Sequence, residues 1–468
     1  MRVLIVSGNS ANFYTFDDVV RGLHAYGHDV RLILRDTKKE TIPDDALQHV
    51  MRDIPGLIIE PIERRRLLRK FTQYLREVLN FAHILNSEET RKWDANKWLR
   101  FFPPFLQYIL SMPVIRKRLK NQQYQKKLRV LEQTLPIVPS VRRHIQKHSP
   151  DVLIVMPLIN PDSIDVEYLR AAQQLHIPVL YSMPSWDNIS TKGTFHGEPD
   201  YGIVWSESLA VDLSKNHNFS REKIFISGAP RFDHLIDHAD KRFISRSEFC
   251  HAVGLDENKE YILYVGSTFL VTNDFTVNRD ETVLLLDLAD AMAKDARTKD
   301  VNIMVRSHPT NQVFIERMQA NPRPNVTVFP SKGEIPDTEE KRAKFHNSIF
   351  HCLAVVGVNT TAFLEASALD KPCITLHTPE FGETQQLPHF HHLVDADFLE
   401  VANGVNDVVP LVSSIKNGAD SHREQRRKFV RDFLRPCGKP AVNAYVEILE
   451  DIVDLSRSTQ NAKRNGPV

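Results

Sequence analysis

The chain is built from short apolar runs, each giving way to small or polar residues. Val3–Val6, Val30–Leu34, Val152–Met156, Val179–Met183 and Ile203–Trp205 follow one another in the first half. Tyr261–Val265, Val301–Val305, Val326–Phe329 and Leu353–Val356 continue the series in the second. Runs this short that are apolar throughout, rather than alternating, suit strands buried on both faces of a parallel sheet. Helical patterns lie between them: Phe16, Val19, Val20, Leu23 and Ala25; Val166–Leu175; a helix capped by Ser206; Glu281–Lys294. Strand–helix alternation predicts an α/β fold of βαβ units, with ligands taken at the carboxyl ends of the strands. The stretch Gly228 to Leu235, GAPRFDHL, is a sharp change of direction and separates two such series.

The loops that end these strands hold the candidate chemistry. In VVGVNTTAFLEASALDKPCITL, Val355–Leu376, a strand passes through Asn359, Thr360 and Thr361 into a helix. Backbone N–H groups and hydroxyls at the positive end of a helix suit a phosphate, and Glu365, one turn further, would reach ribose hydroxyls. An N-capped core helix has the same pattern. Gly266 and Ser267 end another strand with room for a phosphate. In Arg306-Ser307-His308-Pro309 the proline fixes the turn, so His308 and Arg306 are candidates to hold a departing phosphate. Ser331 and Lys332 would flank a base. In the first half, Gly8 and Asn9 in SGNSAN allow close approach of an acceptor or a phosphate. SGNSAN is not a GxGxxG fingerprint, so no dinucleotide is indicated. Trp186, Asp187, Asn188 and Lys192 in SWDNISTKG are acceptor-side candidates. Asp187 is the first candidate for general base and His196 the second, although Asp187 could equally cap a turn.

Hydrophobic content of 42% and charged content of 25% are ordinary for a globular protein. The four cysteines form no CxxC pair, which predicts reduced thiols, no zinc and a cytoplasmic location. MRVLIVSG is too short for a signal-peptide core, and no run approaches a membrane span. The net charge of +1 conceals an asymmetry: residues 61–149 hold 20 Lys or Arg against 6 Asp or Glu. Arg64, Arg65, Arg66, Arg69 and Lys70 recur near one helical face, and Arg116 to Arg129 form a second basic segment. Trp93, Trp98, Phe101, Phe102, Phe105 and Tyr108 lie between. Basic helices with aromatic anchors are the expected form of a peripheral contact with an anionic membrane, or with a lipid-linked or polyanionic acceptor. Solvated helix faces around a local core would read alike. No nucleic-acid module is visible, and nucleic acid is not expected as a partner.

SGAPRFD, RSHP, GVNTTAFLEASALDKPCITL and FVRDFLRPCGKPAVNAYVEIL, in this order, resemble the GT-B glycosyltransferase superfamily. They are similar to bacterial surface-polysaccharide transferases, including CDP-glycerol glycerophosphotransferases and HP-motif capsule transferases, and more distantly to UDP-GlcNAc 2-epimerases. The resemblance covers most of the chain outside 61–149. It implies two Rossmann-like domains facing across a cleft: 1–235 for the acceptor, with 61–149 as a basic helical insertion, and 236–435 for the nucleotide donor. Residues 436–456 would form a helix returning to the first domain, and 457–468 a disordered tail. It further implies His308-Pro309 at the donor's phosphate or nucleotide, Asn359 to Thr361 at the phosphates and Glu365 at the ribose. The expected activity is metal-independent transfer of a glycosyl or glycerophosphate-type group to a hydroxyl of a glycan or lipid-linked acceptor, with no cofactor beyond the nucleotide-activated co-substrate. The epimerases have a His-Arg and an acidic stretch where this chain has GSTFLVTNDF, and a Ser-Gly-Gly loop where it has Asn-Thr-Thr. Both departures favour a transferase.

Overall fold

The computed structural model describes residues 1–8, 13, 15–34, 44–65, 67–86, 95, 98–160, 163–238, 242–267, 280–309, 311–336 and 338–464. It contains two compact units. One is Met1–Arg231 together with Asp432–Val468, the other Phe232–Arg431. Both crossings fall four residues before the positions expected from the sequence.

The first unit holds seven strands, β1 (Arg2–Ser7), β2 (Asp29–Leu34), β3 (Ile58–Pro61), β4 (Val152–Met156), β5 (Val179–Ser182), β6 (Tyr201–Val204) and β7 (Ile224–Ile226). Their order is β3-β2-β1-β4-β5-β6-β7, and every pairing is parallel. The apolar runs are buried because helices cover both faces of such a sheet. Helix α1 (Asp17–Ala25) turns Val19, Val20 and Leu23 onto it. The described part of the 61–149 segment forms helices α2 (Arg69–Asn86), α3 (Pro104–Ser111), α4 (Pro113–Lys120), α5 (Gln122–Gln133) and α6 (Pro139–His148). It has its own small core of Phe81, Ile84, Leu85, Trp98, Phe102 and Leu110. Trp98 and Phe102 therefore serve that core and are not surface anchors. Trp93 lies outside the described residues. Helix α7 (Val166–Gln174) follows β4.

The second unit holds β8 (Tyr261–Val265), β9 (Asn302–Arg306), β10 (Val326–Val328), β11 (Val355–Gly357), β12 (Cys373–Leu376) and β13 (Leu399–Ala402). Their order is β10-β9-β8-β11-β12-β13, again all parallel. Helices α8 (Glu281–Lys294), α9 (Glu339–Phe350) and α10 (Ala362–Ala368) connect them.

Helix α11 (Ala441–Arg464) returns to the first unit, where Tyr445, Val446, Leu449, Ile452 and Val453 join the core beside Phe16 and Val20. The returning chain meets the outgoing one at Gly228, whose φ is +85° and whose Cβ would lie 2.6 Å from the Leu434 carbonyl oxygen. The expected tail at 457–468 is corrected: the helix runs on to Arg464, held in part by Arg457 on Asp151 at 3.0 Å. Residues 465–468 lie outside the described residues. No described helix is long and apolar enough to cross a membrane. All three described buried cysteines are free thiols, as is exposed Cys437.

Because Leu449 is fully buried in the first unit's core, Leu449→Ala should destabilise it by about 2–5 kcal/mol. Urea unfolding followed by hydrogen exchange should show the loss in peptides of 1–231 while those of 232–431 keep their protection.

Candidate functional site

An open parallel sheet binds its ligand where neighbouring connections leave in opposite directions. In the second unit this point lies between β8 and β11. Arg306, Val265, Gly357 and Thr375 pair in succession and form one row across β9, β8, β11 and β12. At about 4.8 Å per strand, Arg306 and Gly357 are about 10 Å apart. The residues leaving that row are Ser307-His308-Pro309, Gly266-Ser267 and Val358-Asn359-Thr360-Thr361. The strand end of β11 must be glycine. A Cβ on Gly357 would stand 2.9 Å from the Val265 carbonyl oxygen and 3.1 Å from the Thr360 methyl group.

Arg306 is the most unusual group here. Its side chain is 4% exposed and its guanidinium lies over the Phe345 ring at 4.9 Å. Neither terminal nitrogen has a hydrogen-bond partner among the described residues. Burial pushes its pKa down to about 10, while the Glu334 carboxylate pulls the other way. A buried cation lacking hydrogen bonds is destabilising by several kcal/mol until an anion meets it. Burial likewise lowers the His308 pKa to about 4, so the ring is neutral at pH 7 and offers a donor or an acceptor rather than a charge. Pro309 and the carbonyl of His308 pack closely on Gly333, where a Cβ would come within 2.7 Å of Pro309 Cα.

The other expected residues have different parts. Ser267 does not offer its donors to a ligand: its N–H donates to Glu281 Oε2 at 2.9 Å and its hydroxyl to Oε1 at 3.2 Å. The Gly266 N–H is also occupied, by the Arg306 carbonyl at 2.9 Å. Asn359 donates to the Thr384 carbonyl at 2.6 Å, while Gln385 bonds the carbonyls of Val358 and Leu376. These contacts set the shape of the β11 loop. Thr360 accepts from the Ala362 N–H at 3.2 Å, Thr361 is exposed, and Glu365 is buried on α10. Ser331 and Lys332 are exposed on the loop after the edge strand β10.

In the first unit the equivalent point lies between β1 and β4, at Gly8. Asn9 lies outside the described residues. Trp186 and His196 are corrected from chemistry to support. Trp186 is 1% exposed and cannot stack on an acceptor. His196 is fully buried, with Nδ1 on Glu132 at 3.1 Å and Nε2 on Asn80 at 3.0 Å, and burial lowers its pKa against the pull of Glu132. Asn188 is buried as well. Asp187 is half-buried, accepts from the Ser185 hydroxyl at 2.6 Å and pairs with Lys192 at 3.3 Å.

Two acids escaped sequence reasoning. Glu281 is fully buried at the start of α8 and ties the β8 loop through Tyr264 and Ser267, with its pKa raised to about 7 by burial. Asp165 lies under Gly8, where a Cβ would be 3.1 Å from Oδ1. Its Oδ2 accepts from the Leu158 N–H at 2.9 Å, and burial raises its pKa to about 6. Both stand at helix starts, where an acid ordinarily signals a solvent-exposed cap.

Known proteins bear on this geometry. A family model described as CDP-Glycerol:Poly(glycerophosphate) glycerophosphotransferase matches residues 188–334. That segment includes Ser267, Arg306, His308 and Glu334. No curated protein matches the chain. Among solved structures, a UDP-GlcNAc 2-epimerase of Neisseria meningitidis bound to UDP-GlcNAc is similar with a TM-score of 0.54 at 12% identity, over 96% of this chain and 100% of that one. S. aureus MnaA in complex with UDP gives 0.54 at 12% identity, over 97% of each chain. A Listeria monocytogenes protein described as a UDP-N-acetylglucosamine 2-epimerase gives 0.55 at 10% identity, over 100% and 97%. At such identities the likeness is one of fold. The chain has the GT-B type of fold, with two parallel-sheet Rossmann-like domains, and is similar to the glycerophosphotransferases in sequence over 188–334.

Glu281 supplies a pH test. Its folded pKa lies above the ordinary value, so between about 4.5 and 7 the folded state binds the extra proton and loses stability as pH rises. Glutamine mimics the protonated form. The stability of Glu281→Gln relative to wild type should therefore rise between pH 4.5 and 7 and level off above, as read by denaturant midpoints.

Proposed function

We propose that the protein is a transferase that moves a glycosyl or glycerophosphate-type group from a nucleotide-activated donor to a hydroxyl acceptor, in surface-polysaccharide or glycoconjugate synthesis. The observation that carries this reading is Arg306: a buried guanidinium with open terminal nitrogens, at the row where the second sheet reverses its order. The match to the glycerophosphotransferase family over the same residues supports it.

In this reading the donor's phosphates take the place of the missing partners of Arg306. His308 and the Thr360-Thr361 turn contact the phosphates from either side, and Glu365 reaches the ribose. As the acceptor oxygen bonds to the transferred group, the bond to the nucleotide's phosphate oxygen breaks and its electron pair stays on that oxygen. Arg306 offsets the charge that develops there. The acceptor's proton passes to a general base, the role for which Asp187 is the candidate. We assign no metal to this step, and transfer should persist in excess EDTA.

A thermal-shift screen against CMP, CDP, UDP, GDP and their conjugates tests the donor site. A nucleotide at 100 times its Kd should stabilise the protein by about 2.7 kcal/mol. Arg306→Gln should weaken that nucleotide by about 10–100-fold, the value of one or two hydrogen bonds to a charged group. No shift with any nucleotide would remove the reading. A second reading, a sugar-nucleotide epimerase, is favoured by the solved structures of similar fold and differs in needing no acceptor.

We also propose an anionic membrane surface as the partner of α3 and α4. Phe105, Tyr108 and Val114 are each more than 60% exposed, and Lys117, Arg118 and Lys120 follow directly. Sedimentation with vesicles containing phosphatidylglycerol should carry the protein down. Phe105→Ser with Tyr108→Ser, or high salt, should release it; equal recovery with uncharged vesicles would contradict a charge-assisted contact.

A further inference from the structure

An open cleft in the first unit has no part in the donor site. It is lined by Arg64, Arg65, Arg69, Thr72, Gln73, Arg76, Ser163, Ile164 and Glu167. Glu167 is the single carboxylate among these, and it is already shared. It binds Arg65 at 2.9 Å and Arg76 at 2.9 Å. Arg76 is completed by Glu132 at 2.7 Å and by the Ser163 carbonyl at 3.1 Å. The wall is thus a fixed, fully bonded cationic lattice. Arg69 differs: it is exposed at the start of α2 and has no hydrogen bond or ion pair among the described residues.

Two neutral groups on α2 complete the lining. Thr72 is 3% exposed, yet its hydroxyl has no hydrogen-bond partner, and the Gln73 side-chain oxygen is likewise buried and unmatched. Burying a polar atom without a partner is destabilising, so two on adjacent residues of one cleft point to a ligand that meets them. The charge of the wall sets the sign of that ligand. A hydroxyl donor, an amide whose NH₂ can turn inward and the N–H groups of Arg69 all match a tetrahedral oxyanion.

The location adds a constraint. Ile164 lines the cleft, and its methyl group is 3.3 Å from where a Cβ of Gly8 would stand. The cleft therefore borders the carboxyl edge of the first sheet at its β1/β4 switch, where open α/β sheets take ligands.

We propose that this cleft is an oxyanion site for a phosphate group, held by Arg69, Thr72 and Gln73 against the Arg65–Glu167–Arg76 lattice. It stands whether or not the second unit binds a nucleotide. The phosphate has two chemical sources, a free monoester or inorganic phosphate, or a phosphodiester within a larger acceptor.

Titration calorimetry of the full chain with inorganic phosphate and with dimethyl phosphate separates these sources. Saturable binding of either that persists in Arg306→Gln supports the site, and the tighter of the two names its source. Thr72→Val and Arg69→Gln should each weaken binding about 10-fold, the worth of a hydrogen bond to a charged group. Neither variant removes a member of the buried lattice, and unchanged melting temperatures without ligand would show that both fold. Arg306→Gln, which disables the proposed donor site, should leave phosphate binding unchanged. Absence of saturable binding to wild type overturns the proposal. So does binding that survives both cleft variants, or that is lost in Arg306→Gln alone.

Discussion

Within each sheet every described strand runs parallel to its neighbours, and the rest of each unit follows from that constraint. Parallel strands need helical crossovers, so both sheet faces are covered and the strands are apolar throughout. Parallel strands also place all their carboxyl ends on one edge. Each sheet then reverses its order once, at β1/β4 and at β8/β11, and leaves one crevice where crossovers part. Arg306, Gly357 and the loops around them lie at the second reversal; Gly8 and Asp165 lie at the first. The candidate chemistry is thus positioned by backbone direction before any side chain contributes.

Buried ionic groups then fix what backbone direction leaves free. The Arg65–Glu167–Arg76–Glu132–His196 series ties α2 and α5 of the basic segment to α7 and to the strand-end loop after β5. Its neighbours hold Glu132 at a pKa of about 2, so it remains charged across the physiological range. Breaking one partner of such a series is costly because it strands the others in a low dielectric. The basic segment is therefore joined to the first unit by fully bonded charges, while its apolar α3 surface remains outside.

Much of this was legible in the sequence. Short all-apolar runs announced the strands, and small residues after them announced the loops. RSHP and GVNTTAFLEA fell beside the reversal point because strand ends are marked by the change from apolar to small residues. The errors have one physical source. Arg65 and Glu167 are 102 residues apart, and His196 and Asn80 are 116 apart. A one-dimensional pattern cannot show that such polar groups find each other in the interior. His196 and Trp186 hence looked like chemistry and proved to be support, while Glu281 and Asp165, buried acids at helix starts, carried no mark in the sequence that set them apart. Ser267 and Asn359 were expected to offer donors to a ligand, but the protein uses those donors to shape the loops. Arg306 could be named from sequence, but that its terminal nitrogens have no hydrogen-bond partner among the described residues could be seen only in three dimensions.

The most direct test of the central claim is the fate of a label in the transferable part of a nucleotide-activated donor that the protein binds. With a hydroxyl acceptor present, the account predicts that the label moves to the acceptor while free nucleotide accumulates in equal amount. Without acceptor, the donor should remain unchanged. Rearrangement of the nucleotide sugar in the absence of acceptor, with the label still on the nucleotide, would contradict it.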